Sequence, residues 1–141
     1  MTFNELHSDI GFNCIKDAIE DNTNEFVRRL KKETLNDNDF KSHWERGIRP
    51  PEMNCESICS HKGISINLFN DEHIELIINK YKTTFSINPK RGAYLLLFKL
   101  KKNAGVVKRT PTKNDLSHCN LFKADNFSLD KLEITEIVKF A

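Results

Sequence analysis

The chain has 141 residues, of which 30% are charged and 38% hydrophobic, and a formal net charge of +2. That length suits one domain with a modest core, and ten Phe among the apolar residues set it apart from a disordered chain. No apolar run approaches the roughly 18–20 residues that cross a bilayer, so no membrane partner is expected.

The first residues, Met1-Thr-Phe-Asn-Glu-Leu-His7, lack the basic-then-apolar order of a signal peptide. A cytoplasmic protein is therefore expected, with its four Cys as thiols. A short helix is expected around Cys14 to Ile19. Asn22-Thr-Asn-Glu25 resembles a capping box, and Phe26, Val27 and Leu30 follow at helical spacing. Arg28, Arg29, Lys31 and Lys32 then occupy the other faces of that helix.

Asp37 or Asn38 can cap a second short helix holding Phe40, His43 and Trp44. Gly47 suits its C′ position, and Pro50-Pro51 stops it. Asn54 can cap a third, ending near Gly63. The clearest helix follows Asn70. Ile74, Ile77, Ile78 and Tyr81 make one apolar face, and Asp71 and Glu72 sit in the first turn, where the dipole favours them.

After Tyr81 the period changes from 3.6 to 2. A strand is expected over 93–102, with Tyr94, Leu96, Phe98 and Leu100 on one face. The other face starts with Leu95 and Leu97 and ends with Lys99 and Lys101. Asn103-Ala-Gly105 reads as a turn that returns Val106 to Thr110 antiparallel to it. A further strand is expected over 83–87. The segment 129–140 suits a helix or a strand, and the helix is preferred. The resulting expectation is a single α+β domain over 1–141. It has a helical part to about 81, a small antiparallel β-meander over 82–113 and a C-terminal segment over 114–141.

The charge is unevenly placed. Ile78 to Asn114 holds ten Lys/Arg and no Asp or Glu, whereas the other 104 residues hold 12 basic and 20 acidic side chains. Such a segment suits an anionic partner, either nucleic acid or an acidic protein surface. The binding candidates are Lys82, Lys90, Arg91, Lys99, Lys101, Lys108, Arg109 and Lys113, presented by a basic hairpin with Tyr81, Phe85 and Tyr94 nearby. Lys on an open strand face also serves simply to keep a sheet edge soluble. The leading expectation is a non-catalytic module that binds nucleic acid. The alternative is an adaptor or subunit of a larger complex using the same face.

Two chemical constellations remain. Cys55, Cys59, His61 and His118 have approximate zinc-ligand spacing. Cys55, Ile58 and Cys59 also form one helical stripe, which favours buried, reduced, metal-free thiols. His43 and His118, with the nearby cations, are the pair for a metal-independent ribonuclease-like reaction. Gly-rich nucleotide loops and the common hydrolase motifs are absent, so no cofactor is expected.

Overall fold

The computed structural model describes residues 12–141; the reading of residues 1–7 lies outside them. The main feature is a six-stranded antiparallel sheet, not a helical N-terminal half. Its strands are β1 (Phe26–Leu30), β2 (Ile64–Leu68), β3 (Tyr94–Leu100), β4 (Gly105–Arg109), β5 (His118–Lys123) and β6 (Leu132–Lys139). Their order is β4-β5-β2-β1-β3-β6. Two helices, α1 (Cys55–Lys62) and α2 (Ile74–Ile87), complete the framework.

The first helix follows its local signal, whereas α2 starts later than expected, at Ile74, with His73 at its N-cap and Asp71 and Glu72 in the turn ahead of it rather than in its first turn. The Asn54 side chain accepts from Ser57 N–H at the start of α1, and Gly63 ends it. Asn70 Oδ1 accepts from His73 N–H just ahead of α2. Ile77 and Tyr81 of α2 are buried against Val27, Leu95 and Leu97. The helix runs on through 83–87, where a strand was expected. The second short helix expected after Asp37 is reduced to the 3-10 turn Asp37–Phe40, and Gly47, with φ +81°, ends a separate turn over 43–47 rather than a helix.

Further helix expectations are overturned: around Cys14 only the 3-10 turn Phe12–Ile15 forms, and Ile19 bridges to Val107. Residues 26–30 are β1, paired with both β2 and β3. The supposed capping box is instead a turn in which the Asp21 carboxylate accepts from Thr23 and Asn24 N–H. Ladders on both sides outweigh a weak helical spacing. The C-terminal segment is β6, which pairs with β3 from Tyr94↔Lys139 to Leu100↔Leu132, with a bulge at Leu97/Phe98. Its Ile134, Thr135, Ile137 and Val138 are β-branched, which suits a pleated surface.

The expected β3–β4 hairpin is also corrected. In this order β3 and β4 lie four ladder steps apart and run in the same sense, so no reversal joins them. Residues 101–104 form a corner at which the chain continues into a different part of the sheet. Buried Ala104 closes that corner by accepting from Ala124 N–H. The sheet thereby wraps around one core containing Phe26, Leu30, Ile66, Phe98, Leu121 and Leu132. No helix among the described residues is long and apolar enough to cross a membrane.

The segment 36–47 closes one end of this core with Phe40, and an ion pair anchors it. Lys123 Nζ lies 2.8 Å from Glu45 Oε1 and 2.9 Å from Phe40 O. Burial works to raise the Glu45 pKa. The hydrogen bonds from Lys123 and Ser42 outweigh it and hold the carboxyl below its ordinary 4.5. A depressed carboxyl contributes stability above its unfolded pKa and loses it as pH falls through the folded value. Glu45→Gln is therefore expected to cost about 1–2 kcal/mol at pH 7. Urea midpoints should show this difference shrinking below pH 4.5, and an equal difference at pH 3 and pH 7 would refute the pairing.

Candidate anion-binding pocket

At the end of the sheet where β1 finishes and β3 begins, a cavity of about 470 Å³ is lined by Arg28, Arg29, Lys31, Lys32, Arg46 and Arg91. Asp39 is its single lining carboxylate. That carboxylate accepts from Asn36 N–H at 2.8 Å and closes a capping box on the short 3-10 turn Asp37–Phe40. Asp39 thus shapes the wall. Among the described residues, none of the six cations forms an ion pair with a carboxylate; the ion pairs Lys80–Asp115 and Lys123–Glu45 lie elsewhere.

Backbone geometry places the two arginines of β1. The β1–β2 ladder holds only Phe26↔Leu68 and Val27↔Asn67, after which the strands diverge. Arg28 fills the gap. Its Nε donates to Asp39 O at 2.6 Å and its Nη1 to Ser65 O at 2.7 Å, while the guanidinium lies 5.6 Å from the Phe40 ring centre. Burial pushes its pKa down to about 10, which leaves it charged at neutral pH. Arg29 donates to Gly92 O, Thr84 Oγ1 and Asn88 O, tying β1 to the end of α2. Arg46 is held by a 2.6 Å bond to Asn38 O. Lys31, Lys32 and Arg91 remain exposed around these fixed guanidinium groups. Fixed cations beside mobile ones can hold phosphate or carboxylate oxygens with little reorganisation.

The candidates from the acid-free segment are dispersed. Arg91 lines this pocket, and exposed Lys90 precedes it in the same turn. Lys82 is exposed on α2. Lys99 stands opposite Glu133 of β6, and Lys101 lies at the corner after β3. Arg109 shares a separate recess with Asp17 and Asp21. Lys113 is exposed in the loop before β5. The single cationic ribbon uniting Lys99, Lys101, Lys108 and Arg109 is therefore not formed. Arg28, Arg29, Lys31, Lys32 and Arg46 went unselected because Glu25, Glu33, Asp37 and Asp39 dilute the linear charge around them. The run Arg28-Arg-Leu-Lys-Lys32 was the available signal.

Lys108 lines a second cavity of about 610 Å³ together with His118, Cys14, Cys55 and Cys59. His118 is held there, Nδ1 2.7 Å from Thr110 Oγ1 and Nε2 3.1 Å from Ser65 Oγ. Burial lowers its pKa, and Asp115 opposes that shift. The expected pair with His43 does not form; His43 instead meets His61, with ring centres 5.4 Å apart.

The zinc-type spacing brings no ligand set together. Cys59 is bonded to Cys14 as a disulfide with a Cα–Cα distance of 5.1 Å. This corrects the expectation of a reduced, buried Cys55–Cys59 pair: Cys59 is oxidised and Cys55 is exposed. The partner cysteine is 45 residues away, beyond any local pattern. His61 Nδ1 faces Ser57 O at 3.0 Å. Among the described residues no group of three or more His, Cys, Asp or Glu is placed to hold a metal ion.

No protein-family model, curated protein or solved structure matches this chain. The site alone therefore carries the functional argument.

Proposed function

We propose that this chain is a nucleic-acid-binding module and that the cation-lined pocket is its contact surface. The observation that supports this reading is the convergence of six Lys/Arg on one recess with a single carboxylate, which is itself committed to a cap. A phosphate backbone supplies closely spaced negative charges, and neutralising them releases counterions. Half-buried guanidinium groups bonded to carbonyls fix the register, and the exposed lysines follow the strand. Such contacts position a nucleic acid without reading its bases. A cytoplasmic setting belongs to the same proposal; there the Cys14–Cys59 bridge would be transient.

The test reverses two exposed charges, Lys31→Glu and Arg91→Glu, in one protein. Affinity for single-stranded RNA and DNA should fall at every sequence. The slope of log affinity against log salt should flatten by roughly 0.7–0.9 for each phosphate that is no longer neutralised. Thermal stability should stay nearly constant, since exposed charge substitutions usually change it by no more than about 0.5 kcal/mol. If the unmutated protein shows no salt-dependent binding to either polymer at low ionic strength, the proposal is wrong. The pocket would then be assigned to an acidic protein surface, the adaptor alternative.

A further inference from the structure

We propose that this end of the sheet also cleaves RNA, with His43 and His61 as the proton-transfer pair acting on one phosphodiester. This inference rests on the nucleic-acid reading above and adds a reaction to it. His43 belongs to the segment that closes the core, and His61 to the last turn of α1. Their rings stand 5.4 Å apart, tilted by 44°. A backbone bond from Trp44 N–H to His61 O, 3.0 Å long, ties the two segments together beside the pair.

The surroundings give the two imidazoles different roles. Ser57 O can only accept, so the His61 Nδ1 facing it carries the hydrogen. Nε2 is left for substrate. His61 stands in the last turn of α1, and its free Nε2 is assigned as the acid. His43 is shifted the other way: desolvation, then the charges of His61, Arg46, Arg91 and Arg28, lower its pKa. A neutral imidazole in that field suits the base. Three of those charges, Arg46, Arg91 and Arg28, also line the anion pocket.

A stacking surface adjoins the pair. The Arg49 guanidinium carbon lies 3.7 Å from the Trp44 ring centre, and Lys62 Nζ lies 4.7 Å from it. An unpaired base can lie on such a cation–aromatic stack. The step is a transesterification. His43 takes the proton of the ribose 2′-hydroxyl, and the 2′-oxygen forms a bond to phosphorus. The P–O5′ bond breaks, and His61 gives its proton to the leaving 5′-oxygen. The products are a 2′,3′-cyclic phosphate and a 5′-hydroxyl. No water, electron or further reactant is consumed, and the cations stabilise charge developing on the phosphoryl oxygens.

The test incubates the full chain, in EDTA, with an end-labelled single-stranded RNA, the DNA of the same sequence and the 2′-O-methyl RNA. Binding is followed in parallel by fluorescence anisotropy. The expected result is cutting of the RNA alone, with cyclic phosphate ends, while all three polymers bind. His43→Ala and His61→Ala should each slow cutting by about 10²–10⁴-fold and leave affinity within about twofold. RNA that binds and stays intact overturns the catalytic inference and leaves the binding reading standing. Cutting that persists in both variants, or of the 2′-O-methyl RNA, also overturns it. If none of the three polymers binds, both readings fall together.

Discussion

Phe98→Ala is expected to lower the unfolding free energy by about 3–5 kcal/mol, the usual range for emptying a fully buried aromatic site. Phe98 is fully buried on β3, where the core is shared by the whole sheet. Its ring centre lies 6.1 Å from that of Phe26 on β1 and 5.5 Å from that of Phe40, the latter edge-on. Removing it strips packing from a central strand and from the segment that carries Arg46 and His43. A domain of this size has roughly 5–15 kcal/mol of stability in total, so the variant is expected to be marginal. Urea denaturation followed by fluorescence measures the loss. A cost below about 1 kcal/mol would mean that the core is not organised around Phe98.

Gly92→Ala is the second large effect, and it falls beside the pocket. Gly92 has φ +97°, in the left-handed region that side chains rarely adopt. A Cβ there would overlap the Leu30 carbonyl oxygen and Lys31 Cα, both of them backbone. Neither can move without opening the β1–β3 ladder at Leu30↔Tyr94. Conformational strain and overlap together are expected to cost about 2–4 kcal/mol. Because the Gly92 carbonyl also accepts from Arg29 Nε, nucleic-acid affinity should fall along with stability. A variant with unchanged urea midpoint and unchanged affinity would show that the close approach of β1 to this turn is not required.

The alternation from Tyr94 to Leu100 was readable because a strand's facing is set by its own pleat. The cap at Asn54 and the apolar face of α2 were readable too. Each depends on residues within about one turn of the chain.

The other strands depended on partners. Phe26-Val-Arg-Arg-Leu30 has a helix-compatible pattern, and only the ladders to β2 and β3 make it a strand. Residues 132–139 suited either state until β3 supplied the edge. Ile64-Ser-Ile-Asn-Leu68 alternates cleanly, yet the strand went unread because the segment lay within a part expected to be helical.

The sequence by itself determined the uneven charge, the strand over 94–100 and the presence, though not the start, of the helix α2. Which cations lie together was decided by the tertiary structure alone. The acid-free stretch from Ile78 to Asn114 is distributed over the helix α2 and over β3 and β4, which lie four ladder steps apart in the sheet. Arg28, Arg46 and Arg91 are distant in sequence but line one recess, because β1 ends there, the 36–47 segment closes over it and β3 begins beside it. His43 and His61, 18 residues apart, meet for the same reason. Electrostatic interaction falls with distance through space, and only the fold converts sequence separation into that distance.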